Sequence, residues 1–308
     1  MNTKELDLTG QQLTSFPDSL DDLPDLATLY LDQNRLTTLT ANIGRLTKLT
    51  TLSLYSNQLA TLPESIWQLE NLHTLNLAEN HFSFLPAGVG KLTNLQMLDL
   101  GHNALTALPA ALGNLHCLKF LYLSNNQLQI VPHSLTNLHD LIYLNITDNQ
   151  LSSLPESIGN LSGLVELRLY NNQLAALPAS IGHLRNLKEL HVQNNKLVSL
   201  PAAVGDLMHL RKLILQDNEL TALPELIGNL TSLTELNLRN NQLVTLPESM
   251  GHLQDLIYLD LRANKLCSLP ANLEQLTHLE KLDLRWNKTL SPPEWLQRLE
   301  ARGCLVYK

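Results

Sequence analysis

The chain has 308 residues, of which 44% are hydrophobic and 16% charged, and a net charge of −8. Residues 1–154 contain 6 Lys and Arg against 13 Asp and Glu, whereas residues 155–308 contain 15 against 16. Nucleic acid is therefore excluded as a general partner, because a basic surface is missing over most of the length.

An asparagine recurs at one fixed interval through almost the whole chain. It stands at 34, 57, 80, 103, 126, 149, 172, 195, 218, 241, 264 and 287. Periods of 20 to 29 residues with the pattern L-x-x-L-x-L-x-x-N-x-L are typical of solenoids in which each unit stacks on the next. An earlier unit, with Leu6 and Leu8 facing inward, has Gln11 in place of the asparagine.

The first half of each repeat predicts a short parallel strand. We number the first leucine of the pattern as repeat position one, so that Leu98 and Leu100 stand at positions four and six. Positions three, five and seven alternate with these leucines and are expected to face solvent. The asparagine at position nine can donate two hydrogen bonds and accept others, so we expect it to bond backbone groups of its own turn and of a neighbouring repeat.

The second half reads L-P-x-x-I-G-x-L, as in Leu177, Pro178, Ile181, Gly182 and Leu184. Proline stands at its second position in eleven of twelve units, with Thr40 as the exception. Proline suits a return path without ladder hydrogen bonds, and the spacing of the isoleucine and the last leucine predicts one tight helical turn.

The register breaks after Asn287, at KTLSPPEWLQRLEARGCLVYK. Here Ser291 is a predicted helix N-cap, Pro293 suits the first turn and Gly303 is placed to end the helix. We therefore expect one domain, made of an array of about 13 units over residues 1–287 and a C-terminal cap over residues 288–308.

These motifs resemble the intracellular leucine-rich repeat proteins with 23-residue L-P-x-x-I-G-x-L units, a group with Ras-group plant proteins, SHOC-type scaffolds and bacterial members. The resemblance covers nearly the whole chain. It implies an α/β leucine-rich repeat solenoid that is curved, with a parallel sheet on its concave side and irregular or short helical segments on its convex side. It strongly indicates the fold and says little about biochemistry.

The cysteines and the N-terminus favour a cytoplasmic location. Cys117, Cys267 and Cys304 form no C-x-x-C motif, whereas secreted proteins that resemble this chain carry flanking disulfide caps. The N-terminal stretch MNTKELDLTG lacks the apolar segment of a signal peptide, and no apolar run elsewhere is long enough to predict a membrane-spanning helix. We expect free thiols, with Cys304 buried and Cys117 more reactive.

No catalytic motif stands out. The sequence has no G-x-S-x-G, no H-E-x-x-H and no glycine-rich phosphate loop. His116, Cys117 and His139 could approach one another on the outer turns, but a metal site needs three or four converging ligands. We therefore predict no enzyme activity, no cofactor and no metal.

Six of the seven tyrosines fall on solvent-facing positions of the predicted strands. Exposed aromatic side chains of this kind are typical contact anchors. With Phe120 and Met97, the tyrosines of four neighbouring units predict one patch, made of Met97, Phe120, Tyr122, Tyr143 and Tyr170. The other tyrosines of the set are Tyr30, Tyr55 and Tyr258.

Position seven is arginine in three successive units, at Arg239, Arg262 and Arg285. Carboxylates beside them could pair with these side chains internally, or the arginines could bind an acidic partner. Tyr258 and Trp286 stand at the edge of this set and complete the predicted partner-binding residues.

These observations favour a monomeric protein-binding module that uses its concave face and has no nucleic-acid or membrane partner. Two alternatives remain: a small-GTPase signalling scaffold, and the substrate-recognition part of a larger enzyme or ubiquitin-ligase system. A glycan-binding or cell-surface role would require export.

Overall fold

The computed structural model describes residues 4–17 and 23–308. Residues 1–3 of the N-terminal stretch and residues 18–22 of the first return segment lie outside this description. The chain forms two compact units, Met1–Gln150 and Leu151–Lys308, and the same 23-residue repeat builds both.

Each repeat contributes one three-residue strand, and within each unit the strands pair in parallel and in chain order. The first unit contains β1 (Glu5–Asp7), β2 (Thr28–Tyr30), β3 (Thr51–Ser53), β4 (Thr74–Asn76), β5 (Met97–Asp99), β6 (Phe120–Tyr122) and β7 (Tyr143–Asn145). The second unit contains β8 (Glu166–Arg168), β9 (Glu189–His191), β10 (Lys212–Ile214), β11 (Glu235–Asn237), β12 (Tyr258–Asp260), β13 (Lys281–Asp283) and β14 (Leu305–Tyr307). This is the predicted solenoid.

The leucines at positions four and six form the core beneath the sheet. Leu98 and Leu100 of the first unit, like Leu213 and Leu215 of the second, have no exposed surface. Positions three and five flank the buried central residue of each strand, so their side chains lie on the opposite side of the sheet.

The return segments form the predicted tight turns, as 3₁₀ helices of five residues. In ten of the eleven helices in the described part of the chain, a proline is the residue before the helix, and Thr40 takes this place in the other. The proline carbonyl accepts the first hydrogen bond of the turn, as in the 3.1 Å bond from the Ile66 N–H to Pro63. The helices are Ala41–Arg45, Glu64–Gln68, Ala87–Lys91, Ala110–Asn114, His133–Asn137, Glu156–Asn160, Ala179–His183, Ala202–Asp206, Glu225–Asn229, Glu248–His252 and Ala271–Gln275.

The asparagines at position nine form the predicted ladder. Asn218 donates from its amide nitrogen to the carbonyls of Val192 and Leu215, at 3.0 Å each, and accepts from the Leu197 N–H at 3.1 Å. Val192 and Leu197 belong to the preceding repeat, so one side chain joins two successive repeats of the same unit.

The C-terminal segment differs from the prediction at two points. Helix α1 spans Leu296–Ala301 and its N-cap is Trp295, so Ser291 as the N-cap was wrong. A cap at Ser291 would bond the N–H two or three residues later, and the residue two positions later is Pro293, which has no N–H. The predicted stop is confirmed, since Gly303 has φ +96°. After it, β14 pairs with β13, a strand that the sequence analysis did not predict.

The three thiols are free, as predicted, with Cys117 and Cys267 exposed and Cys304 buried. Burial raises the pKa of the Cys304 thiol above its usual value. Cys304 packs where the chain leaves α1 for β14, and its N–H donates to Leu299 at 3.1 Å.

Candidate functional site

The solvent-facing side of the sheet in the first unit carries a group of aromatic and apolar side chains. Met97 of β5 lies beside Phe120 of β6, which lies beside Tyr143 of β7. The rings of Tyr122 and Tyr143 are in contact, with centroids 5.0 Å apart and planes at 41°. Phe120 is 37% exposed. We refer to Met97, Phe120, Tyr122 and Tyr143 as the aromatic cluster.

Two other predicted tyrosines lie in the second unit. Tyr170 is half-buried and lies two residues after the end of β8, and Tyr258 of β12 is exposed. The remaining tyrosine, Tyr307, is on β14 and pairs in register with Asp283, which gives it the direction of a position-five side chain. Every tyrosine of the chain therefore occupies a solvent-facing position on or just after a strand. The β-branched and aromatic residues within Leu305–Tyr307 could have predicted this last strand. The sequence analysis considered only a helix and its end in this segment.

The three arginines at position seven do not share one environment. Arg262 forms a forked pair with Asp260, with Nε 3.0 Å from Oδ1 and Nη2 2.6 Å from Oδ2. Arg285 pairs in the same way with Asp283, at 2.9 and 2.7 Å. Arg239 forms no ion pair with any residue that the structure describes.

These pairs change the ionisation of the carboxylates. Burial alone would raise the pKa of Asp283, whose side chain is 1% exposed, but hydrogen bonds from Arg285 and the positive charges of Arg285 and Arg262 lower it below its usual value. The same pairing raises the pKa of both arginines. Internal compensation, the simpler of the two predicted explanations, therefore applies to Arg262 and Arg285.

Aromatic rings surround Arg285 at the C-terminal end of the sheet. Its guanidinium carbon lies 5.0 Å from the ring centre of Tyr307 and 5.7 Å from that of Trp286. The Nζ of Lys281 is 5.5 Å from the Tyr307 ring centre. These distances are within the range of cation–π attraction. Trp286 is nevertheless 63% exposed.

A charged network on β8 to β10 was missed by the sequence analysis, because its members are far apart along the chain. Ligand atoms of Glu166, Glu189 and His191 all lie within 4.8 Å of one another. Glu189 is 3.0 Å from the Nε2 of His191 and 3.1 Å from the Nζ of Lys212, and Arg168 bonds Glu166. Partial burial would raise the pKa of Glu189, but the bonds from His191 and Lys212 lower it overall.

The network is thus a set of compensated charges. Among the described residues it is the one group with three potential metal ligands, and His116, Cys117 and His139 form no second one. Its two carboxylates already bind Arg168 and Lys212, so the charge available to an ion is small. Nothing in this arrangement points to enzymatic activity.

Comparisons with known families identify the fold by its repeat. The family "Leucine-rich repeat region" matches residues 129–207 and 199–301, and "Leucine rich repeat" matches residues 27–82 and 70–128. Together these cover the chain from the second repeat to α1. The chain is a leucine-rich repeat protein. Proteins with this fold generally mediate protein–protein interaction.

Solved structures agree with this assignment. A leucine-rich repeat protein of Leptospira interrogans is 32% identical, with 100% of this chain and 96% of that chain covered and a TM-score of 0.64. The plant peptide hormone receptor RGFR1, solved with RGF2, is 31% identical over 88% of this chain and 46% of its own, with a TM-score of 0.79. Toll, in its Drosophila complex with Spatzle, is 25% identical, with 89% of this chain and 43% of that chain covered and a TM-score of 0.78.

The leucine-rich repeat chain spans less than half of the RGFR1 and Toll chains but almost all of the Leptospira protein. A comparison with curated protein sequences gave no match. Within the described residues, no helix has the length and apolar character needed to cross a membrane.

Proposed function

We propose that this leucine-rich repeat protein binds a protein partner on the solvent-facing, concave side of its strands, with the aromatic cluster of the first unit as the principal contact. The observation that carries the proposal is the contact between the Tyr122 and Tyr143 rings on a surface that covers no core. Buried tyrosines at the centre of an interface commonly supply much of its binding energy.

The composition around the cluster supports a protein ligand. Serine, threonine, asparagine and glycine dominate the neighbouring solvent-facing positions, as at Asn76, Gly101, Ser124, Asn145 and Thr147. An apolar centre within a polar border is the usual organisation of a protein interface. Asp99, the charged residue of β5, pairs in register with Tyr122 and belongs to this border.

We further propose that the chain belongs to the L-P-x-x-I-G-x-L group of repeat proteins and acts in the cytoplasm as a monomer. The prolines before ten helices support the first point, since they are the structural element that defines that repeat. Free, partly exposed thiols suit a reducing compartment.

Affinity capture from native lysate tests the function. Wild-type protein is compared with Tyr122→Ala/Tyr143→Ala, and each captured partner is then purified for titration. We expect the double variant to weaken a genuine partner by about 2 kcal/mol or more, because it removes two contact anchors, while the melting temperature stays nearly unchanged.

Tyr258→Ala is the matched control, since it removes an exposed tyrosine at position three of a strand in the other unit. Glu156→Ala provides a second control on the 3₁₀ helices. If the affinity of the partner is unchanged in Tyr122→Ala/Tyr143→Ala but binding is lost in Arg262→Ala/Arg285→Ala, the proposed contact surface is wrong.

A further inference from the structure

Repeat position eight, immediately before the ladder asparagine, has a left-handed backbone throughout the array. Its φ lies between 52° and 69° in all thirteen repeats. Glycine, asparagine and aspartate tolerate this conformation, whereas other residues are strained in it. Asparagine or aspartate fills the position in all six repeats from Asn125 to Asn240.

In the first unit, Gln33, Ser56, Glu79 and His102 also hold this conformation. In the second unit, only the last two repeats lack asparagine and aspartate here. Position eight is Ala263 in one and Trp286 in the next, with φ of 52° and 67°. Neither side chain makes the kind of hydrogen bond that links neighbouring position-eight residues earlier in the same unit, such as the 2.8 Å bond from Asn240 to Asp217. A bulky residue held in a strained conformation is a reason to look for a functional role.

Both exceptions line one surface pocket of about 580 Å³. The small Ala263 leaves room where other repeats place a longer side chain, and the indole of Trp286 forms a wall. Lys265, Lys288 and Thr289 also line the pocket, together with the ladder residues Asn241 and Asn264. The guanidinium of Arg285, itself held by Asp283, lies against the indole at 5.7 Å.

The lysines of this pocket are available to an outside anion. The Nζ of Lys265 contacts only the neutral Gln242 side chain, at 3.1 Å, and neither lysine forms an ion pair with a described residue. Both side chains are exposed.

The surrounding positions have an unusual charge. In the repeats of β11 to β13, positions three, five, seven, eight and ten carry six positive residues against three negative ones: Arg239, Arg262, Lys265, Lys281, Arg285 and Lys288 against Glu235, Asp260 and Asp283. The same positions in the repeats of β2 to β7 carry one positive residue against four negative ones: Arg35 against Asp32, Glu79, Asp99 and Asp148. A local excess of three positive charges on a chain of net charge −8 attracts acidic ligands to this end.

We infer that this pocket binds an extended acidic segment of a partner protein, with Trp286 as the apolar contact and Lys265 and Lys288 as the charge contacts. The inference rests on the proposed function only in taking the ligand to be a protein. No residue of the aromatic cluster lines this pocket. An apolar wall beside two uncompensated lysines suits a segment in which carboxylates flank a leucine or an aromatic residue.

Fluorescence anisotropy of the full chain tests this directly. The probe is a labelled peptide of about ten residues with two central leucines and glutamate elsewhere. We expect saturable binding that weakens as salt rises. Trp286→Asn and Lys265→Gln/Lys288→Gln should each weaken it about tenfold or more.

Trp286→Asn separates binding from folding. Because asparagine tolerates the left-handed backbone and fills position eight in four other repeats, the melting temperature of this variant should stay the same or rise. Ala263→Asn, which narrows the pocket, should also weaken peptide binding without lowering the melting temperature. Tyr122→Ala should leave peptide binding unchanged, so failure of the aromatic cluster and failure of this pocket are distinguishable.

Several results would overturn the inference. These are no saturable binding to wild type, equal binding of a peptide with lysine in place of glutamate, tighter binding of a ten-nucleotide thymidine strand, or full affinity in Trp286→Asn. Self-association of the free chain that Trp286→Asn abolishes would identify a second copy as the occupant and would also overturn it.

Discussion

At the scale of single residues, one amide side chain explains why asparagine recurs in repeat after repeat. Asn126 donates to the carbonyls of Leu100, Leu123 and Ser124 and accepts from the Leu105 N–H, all at 2.9 to 3.2 Å. These backbone groups lie where the chain leaves the sheet and no ladder partner remains. No other neutral side chain of this size offers two donors and an acceptor together.

Removing a ladder asparagine should therefore be costly. We expect Asn218→Ala to destabilise the protein by about 1–3 kcal/mol, because it leaves buried backbone groups of two repeats without partners. Chemical denaturation measures the change. Asn229→Ala, at an exposed position at the end of a 3₁₀ helix, is the control and should cost less than about 0.5 kcal/mol. Equal effects of the two changes would show that the ladder does not stabilise the stack.

At the scale of elements, the 3₁₀ helices stack closely because eight of the eleven in the described part of the chain have glycine as their fourth residue. A Cβ added to Gly182 would lie 2.4 Å from the Ala203 carbonyl oxygen of the next repeat. Trp67 takes the place of this glycine in its own repeat and is 1% exposed. The next repeat compensates with Gly88, where a Cβ would lie 2.2 Å from the indole of Trp67.

This compensation predicts strong coupling between Trp67 and Gly88. Gly88→Ala should destabilise the protein by about 1–3 kcal/mol, because the new methyl group overlaps a fully buried ring. In a Trp67→Gly background the same change should cost at least about 1 kcal/mol less. A double-mutant cycle by denaturation measures the difference, and additive effects would contradict the proposed steric pairing.

At the scale of the whole molecule, the charges make stability depend on acid pH. The pKa of Asp283 and of Glu189 is lowered in the folded chain. Their stabilising effect is therefore complete above the unfolded pKa of about 4 and is lost as pH falls through the lower folded value. Asp99 behaves in the opposite sense, because burial raises its pKa and acid favours its folded form.

Two substitutions at position five separate these effects. Asp283→Asn should lower stability at pH 7 by about 1–3 kcal/mol, since Arg285 loses its partner and Arg262 loses a second carboxylate 3.4 Å away, and its difference from wild type should shrink below about pH 4. Asp99→Asn should be neutral or slightly stabilising at pH 7, because Asn76 makes the same bond to the backbone two residues on. Thermal melts from pH 7 to pH 3 measure both. A destabilised Asp99→Asn, or a pH-independent effect of Asp283→Asn, would contradict the argument.

The sequence by itself determined the repeat, the strand and turn halves, the asparagine ladder and the direction of most tyrosines. These follow from local rules: alternation places a side chain on one face of a strand, and a fixed period places equivalent residues in register. The aromatic cluster could be predicted in this way, since Met97, Phe120 and Tyr143 occupy position three of adjacent strands.

The tertiary structure decided what no period encodes. The pairing of Arg262 and Arg285 with Asp260 and Asp283, and the network around Glu189, depend on side-chain distances across strands. After its predicted helix, the tail formed a fourteenth strand on the edge of β13, a pairing that local propensity does not report. The pocket beside Trp286 also appeared only in three dimensions, because Ala263 and Trp286, at position eight of two successive repeats, line one site.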